Sequence, residues 1–312
     1  MATNSNTTKE VTLHKHHFIR TPIAALFGSL ALLLIILSVV LFWTNKTITN
    51  TDSYVSTVGP LASKPAVQTF VSEEVSRAIV KDAPVEELAV ELLDESERIN
   101  KTSEELSPLV ESALREEALL IVARPSSAQL WENSNRSIHQ SLITQLNSES
   151  NSLQFDFKPI IDEAVLQLKG TKLEKLSEEI SVEPGKAVVT VDGSAMQSVN
   201  RAYKSMKNSI IALIGLAIVF LALAVLISVH HVKTFRRVAV ASGVALLIIY
   251  VLLSAPQYVS VGETGEVSAE LIKSISSTVL TGLKSTVLIS GFVLVLAALG
   301  SKIVEIVLHK RK

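Results

Sequence analysis

The sequence predicts an all-α polytopic membrane protein, with four transmembrane helices plus a mainly helical extracytoplasmic domain that carries a small β element. Three observations lead there. The 312-residue chain is 48% hydrophobic and only 19% charged, with a mean hydropathy of +0.39, too apolar for an ordinary soluble protein. Its apolar residues concentrate in four runs. Each run has about the 20 residues that a helix rising ~1.5 Å per residue needs to cross ~30 Å of hydrocarbon. Finally, Lys and Arg collect beside alternate ends of the runs, the bias that sets orientation in a membrane.

Residues 1–21 begin with the polar MATNSNTTKE and are expected to form a disordered cytoplasmic tail. The first span covers 22–43. It is longer than the ~7–15 apolar residues of a secretory signal and leaves through LFWTNKT without a small-residue cleavage pattern, so it reads as a retained anchor. An extracytoplasmic segment, 44–208, precedes the second span at 209–229. A cytoplasmic loop, 230–237, leads to the third span, 238–255. Residues 256–285 return as an outer loop with an amphipathic helix, 286–304 form the fourth span, and 305–312 are a basic tail. Lys9, Lys15 and Arg20 flank the first run, Lys233, Arg236 and Arg237 the second and third, and Lys302, Lys310, Arg311 and Lys312 the fourth. Within the outer loop, residues 256–282 offer Lys273 against Glu263, Glu266 and Glu270. Both termini are therefore expected in the cytoplasm, with the protein in the cell membrane.

The outer segment is long enough to bury a core of its own. Acidic residues outnumber basic ones there, which argues against nucleic acid as a partner. The chain has no cysteine, so disulfide staples, thiol chemistry and Cys-ligated metals are excluded. PAVQTFVSEEVSRAIV opens with Pro65 at a first-turn position and keeps Val67, Phe70, Val71, Val75 and Ile79 on one side, as a helix does. Helices are also expected in PVEELAVELLDESERI, in TSEELSPLVESALREEALLIVAR behind a capping box of Thr102 and Glu105, and over 127–147. LQFDF, 153–157, and AVVTVD, 187–192, alternate as strands and are expected to pair around helical PIIDEAVLQLKG and KLEKLSEEI.

Met196, Val199, Tyr203, Met206, Ile210 and Leu213 recur at steps of three and four, so the second span should continue outward as one long helix with an apolar seam. Val267, Leu271, Ile275, Val279 and Leu283 mark the amphipathic helix before the fourth span. The centres of all four runs lack ionisable residues, holding only a few hydroxyls such as Ser38 and Ser290. That disfavours a transporter or channel, because moving charge needs a polar path. Ala24 with Gly28, Ala25 with Ser29, and Ala239 with Gly243 are small pairs four apart that let helices approach, and they leave room for a homo-oligomer. Lys302 and Glu305 sit one turn apart, able to pair or snorkel.

The most informative stretch is LWENSNRSIHQSLITQL, 130–146. On a helix, Ile138, Trp131, Leu142, Asn135, Leu146 and His139 share one stripe, so two polar side chains four apart interrupt an apolar face. Burying either without a partner costs on the order of 1–3 kcal/mol. Trp131, Asn135 and His139 are thus either a partner or ligand site, with His139 a candidate pH sensor, or a buried polar pair satisfied within the core.

The run of Trp131, Asn135, Arg136, His139, Leu142 and Leu146 resembles a pattern in uncharacterised integral membrane proteins of actinobacterial and related envelopes. TDSYVSTVGPLASKPAVQTFVSEEV, LSPLVESALREEALLIVARP, LQFDFKPIIDEAVLQLKG and VTVDGSAMQSVNRAY extend the similarity over most of the outer domain. The resemblance implies a protein of four spans with one large outer domain and no assigned activity.

Other candidates carry less. His14, His16 and His17 with His230 and His231 are potential metal ligands, though histidines at a membrane border commonly serve as a polar flank. Glu73 and Glu74, and Glu116 and Glu117, are adjacent on helices and point apart. GETGE lacks the context of a phosphate loop. Asn45, Asn100 and Asn135 lie in glycosylation sequons. No catalytic residue, cofactor or metal is expected. The sequence reads as a non-enzymatic multi-pass envelope protein whose outer domain contacts an envelope protein or a small ligand. The alternative is a membrane sensor that transmits outer binding through the helix of the second span; a transporter and an extracytoplasmic enzyme rank below both.

Overall fold

A computed structural model describes residues 6–82, 84–148, 152–175, 188–255 and 266–310, with the backbone alone for 6–19, 82, 153, 191–197, 266–268 and 307–310. In chain order the helices are α1 (Asn6–Thr49), α2 (Thr51–Val58), α3 (Pro65–Asp82), α4 (Val85–Leu92), α5 (Glu95–Arg98), α6 (Ser103–Val122), α7 (Pro125–Asn147), α8 (Lys158–Leu166), α9 (Gly193–Ile227), α10 (His231–Ser254) and α11 (Glu266–Lys310). A 3₁₀ turn, Gly59–Ser63, follows α2, and strands β1 (Ser152–Asp156) and β2 (Val188–Asp192) flank α8. The protein is all-α apart from that strand pair, and it divides into two compact units.

The first unit comprises Met1–Lys46, Ala202–Gln257 and Leu280–Lys312. Among the described residues, four helical stretches, Arg20–Thr49, Ser198–Ile227, His231–Ser254 and Ala269–Ile306, are long and apolar enough to cross a membrane. Buried positions here are often small, as at Ala31, Ala224, Ser242 and Gly243, whereas Leu226, Leu252 and Leu296 are exposed. This inverts the pattern of a water-soluble bundle and suits helices whose outer faces meet lipid. Leu246, Leu283 and Val287 form a core packed by Ile36, Val40, Trp43 and Tyr250. At Gly243 and Gly291 the α10 and α11 backbones nearly touch, since a Cβ on Gly243 would lie 3.0 Å from the Gly291 carbonyl oxygen and 2.8 Å from Val295 Cγ2.

Three expectations meet a different backbone. The N-terminal tail is helical from Asn6, and α1 runs on through Pro22, whose missing N–H leaves one bond of the helical ladder unmade at the start of the span. The predicted 230–237 loop is instead the start of α10. A turn at Ser228–His230 is enough to reverse the chain: the Ser228 hydroxyl accepts from the His230 N–H at 3.2 Å and bonds Thr234 Oγ1 at 2.6 Å. The amphipathic element and the fourth span are a single unbroken helix, α11. The expected long helix of the second span is present as α9, with Tyr203 and Ile210 buried along its seam and Val199 exposed.

The second unit comprises Thr47–Arg201 and Tyr258–Val279. Its core joins α4 and α6 through Leu88, Ala89, Leu92, Leu106, Val110 and Leu114, with Ile79 and Val80 of α3 against it. Leu106, Val110, Leu114, Ala118 and Ile121 recur every three or four residues, which gives α6 one continuous buried face. Ser72 and Ser76 of α3 are buried, and their hydroxyls bond the carbonyls of Thr69 and Glu73. Glu105 accepts from the Thr102 N–H at 2.9 Å and from its hydroxyl at 3.0 Å, holding the start of α6 as the capping pattern predicts. Asn100 takes φ 62°, a left-handed conformation that asparagine tolerates, between α5 and α6.

β1 and β2 pair antiparallel, with Gln154 opposite Thr190. Gln145 of α7 donates to the Gln154 carbonyl at 2.8 Å and accepts from its N–H at 2.6 Å, so one side-chain amide occupies β1 as a neighbouring strand would. PIIDEAVLQLKG forms α8 and a following turn. Most of KLEKLSEEI and of GETGE lies outside the described residues, as do the side chains of His14, His16 and His17.

Candidate functional site

α7 is the organising element of the second unit. Pro125 opens it at a position where the missing N–H costs nothing, and Arg124 just before it donates to the Gln167 carbonyl at 3.0 Å, tying down the end of α8. From this helix the three residues singled out by the sequence project at successive turns. Each reaches the segment 48–58.

His139 is buried, 4% exposed. Its Nδ1 lies 3.0 Å from Thr51 Oγ1, its Nε2 lies 3.1 Å from the Ile48 carbonyl oxygen, and its ring stacks on Tyr54 with centroids 4.3 Å apart. Because a carbonyl only accepts, Nε2 carries the proton and Nδ1 accepts from the threonine hydroxyl, which is the neutral imidazole. Burial pushes the His139 pKa below its ordinary value of 6.5, and the bond to Ile48 opposes that only in part. Asn135 donates to the Trp131 carbonyl at 2.8 Å and accepts from the Tyr54 hydroxyl at 3.3 Å. Burial raises the Tyr54 pKa. Trp131 donates its indole N–H to the Val58 carbonyl at 3.1 Å. Ile48 and Val58 sit at the ends of α1 and α2, so two ring N–H groups satisfy carbonyls at helix termini, where intrahelical donors run out. At the rim, Arg136 pairs with Asp52 and also lies 3.6 Å from Glu132. The polar pair that the sequence marks is thus bonded within the unit. Thr51, Asp52 and Tyr54, which sequence reasoning missed as partners, complete the clasp.

Beside the clasp α7 also forms a wall of a cavity. This cavity of about 510 Å³, partly open to the surface, lies among α3, α6, α7 and α8, lined by residues that include Val71, Ile79, Ile121, Ile138, Phe157 and Ile160. The lining contains no Asp, Glu, Lys, Arg or His. Its few polar side chains are mostly engaged: Ser127 bonds the Ile121 carbonyl at 2.6 Å, Gln167 bonds Ser126 at 2.6 Å, and Asn135 belongs to the clasp. The exception is Ser134, whose buried hydroxyl has no partner among the described residues.

Comparison of the chain with protein-family models, curated proteins and solved structures gave no match.

The chemistry available here is recognition of apolar surface. A volume of this size falls in the usual ~300–1,000 Å³ range of ligand sites. Thr51 and His139 form a hydroxyl–imidazole contact, but His139 does not line the cavity, and its second nitrogen meets a carbonyl where a catalytic histidine is usually oriented by a carboxylate. Among the described residues, no group of three or more His, Asp or Glu is placed to hold a metal ion. In the first unit, a cleft of about 280 Å³ contains both Ser38 and Ser290 among aliphatic side chains and Phe42, with no charged residue in its lining.

Proposed function

We propose that the protein is a multi-pass cell-membrane protein whose second unit, on the outer side with both termini in the cytoplasm, binds an uncharged, hydrocarbon-rich ligand. The observation that carries this reading is the uncharged 510 Å³ cavity among α3, α6, α7 and α8. Burying a charge there would be costly without a counter-ion, so the lining selects a neutral chain. The lone free hydroxyl of Ser134 suits one polar end on that chain. Binding, not catalysis, is the activity that such a lining supports.

The chain's own composition supplies the test. Of its two tryptophans, Trp43 and Trp131, only Trp131 lines the cavity, so Trp43→Phe leaves a single reporter. A brominated sixteen-carbon alcohol should quench Trp131 saturably in the full chain, and Ala164→Phe, at an exposed position of the lining, should abolish saturation. Quenching that is linear, or unchanged by Ala164→Phe, would refute the assignment. For orientation, a single cysteine introduced at exposed Leu120 should react with an impermeant maleimide on intact cells, since no native cysteine competes.

A sensor is the second reading, favoured because Trp131 and Asn135 belong to cavity and clasp at once. Ligand should then slow amide hydrogen exchange over 51–58; unchanged exchange with the cavity filled would leave binding alone.

A further inference from the structure

We propose a site for one anionic phospholipid in the first unit, in a groove between the N-terminal part of the first span and the α9–α10 turn. It is independent of the cavity assignment. The groove measures about 320 Å³. Its floor is small and apolar, including Ala24, Ala25, Gly28 and Leu32. Its rim carries Arg237, His230 and Thr234. The floor ends where α1 and α10 close up, a Cβ on Gly28 falling 3.1 Å from Val238 Cγ2.

Charge complementarity selects the occupant. Arg236 is already neutralised by Glu305 at 2.7 Å, with both side chains about one-third exposed. Arg237, its neighbour, has no ion-pair partner among the described residues and stands at the groove. The Ser228 and Thr234 hydroxyls bond each other and shape the turn, which leaves the guanidinium as the strong donor facing the groove. An arginine next to a hydrocarbon trough at the end of a membrane span matches a phosphate with an acyl chain attached: the phosphate takes the fork of N–H donors, and the chain lies over Ala24, Ala25 and Leu32. A free phosphate would leave that floor uncovered. A zwitterionic lipid would bring a second charge that the rim does not match.

The test is native mass spectrometry of the full chain in detergent, with phosphatidylglycerol and phosphatidylcholine of identical acyl chains in competition. Retention should favour phosphatidylglycerol, and Arg237→Gln should cut the preference roughly fivefold, the factor that ~1 kcal/mol per basic side chain corresponds to. Ala25→Leu, which fills the floor and keeps the arginine, should reduce retention of both lipids. Lys233→Gln, a basic change outside the groove lining, should leave the preference intact. The proposal is overturned by an equal loss with Lys233→Gln, by no loss with Arg237→Gln, or by displacement of the lipid with millimolar inorganic phosphate. Circular dichroism of each variant separates lost binding from lost fold, and Ala25→Leu tests the site without touching its charge.

Discussion

Replacing His139 by leucine probes the clasp most directly. Leucine keeps the apolar bulk but removes a donor to the Ile48 carbonyl and an acceptor for the Thr51 hydroxyl. Each bond contributes about 1 kcal/mol net, and a carbonyl left without a partner adds about 1–3 kcal/mol of desolvation. Part of the Tyr54 stacking is lost as well. The sum is about 3–5 kcal/mol, or roughly 6–20 °C in melting temperature for a unit of this size. His139→Gln can still donate to Ile48 and accept from Thr51, so it should lose about half as much. Acid adds an independent signature. The folded pKa is depressed below 6.5, so the folded state binds fewer protons than the unfolded state in the window just under that value. The stability that the neutral imidazole contributes is full above pH 6.5 and is lost as pH falls through the folded pKa. Melting curves of the full chain in detergent from pH 8 to 5 should therefore show the wild type losing more than His139→Gln on acidification. Leucine and wild type melting together at pH 8, or parallel acid slopes for wild type and glutamine, would show that the imidazole bonds do not hold α7 to the 48–58 segment.

Three further outcomes follow from other contacts. Gly243→Val should destabilise the spans by about 1–3 kcal/mol in thermal melts, because the Gly291 carbonyl cannot move aside as a side-chain tip can. Gly300→Val, where nothing lies within 4 Å of a built Cβ, should have little effect. Gln145→Leu removes both bonds to Gln154 and should speed hydrogen exchange at the Gln154 amide while leaving the α4–α6 core unchanged. Glu305→Gln should lower the melting temperature by the loss of the half-buried Arg236 pair, and the swap Arg236→Glu with Glu305→Arg should recover part of it, as a double-mutant cycle reads directly.

Glu305 also illustrates what a sequence conveys poorly. Lys302 is one turn away on the same helix and suggests a local pair, whereas the structure gives the carboxylate to Arg236, 69 positions distant, which helix packing brings to 2.7 Å. The same holds at the clasp. That Asn135 and His139 need partners follows from helical periodicity alone; which partners they take does not, because Thr51 lies 88 residues from His139 and Tyr54 lies 81 from Asn135. Spacing in TDSYVSTV offered a hint, since Thr51, Tyr54, Val55 and Val58 share a helical face.

What the sequence determined by itself are the properties that depend on near neighbours: the four apolar runs, the start of α6 at Thr102, a helix over 127–147, the alternating strands, and the stripe holding Trp131, Asn135 and His139. Tertiary structure alone decided the cavity. Val71, Ile138 and Ile160 look in sequence like ordinary core positions, and the same apolar spacing serves a closed interface or an open one. Whether facing helices meet or stand apart depends on side-chain volumes summed across four elements, a quantity that no single segment contains.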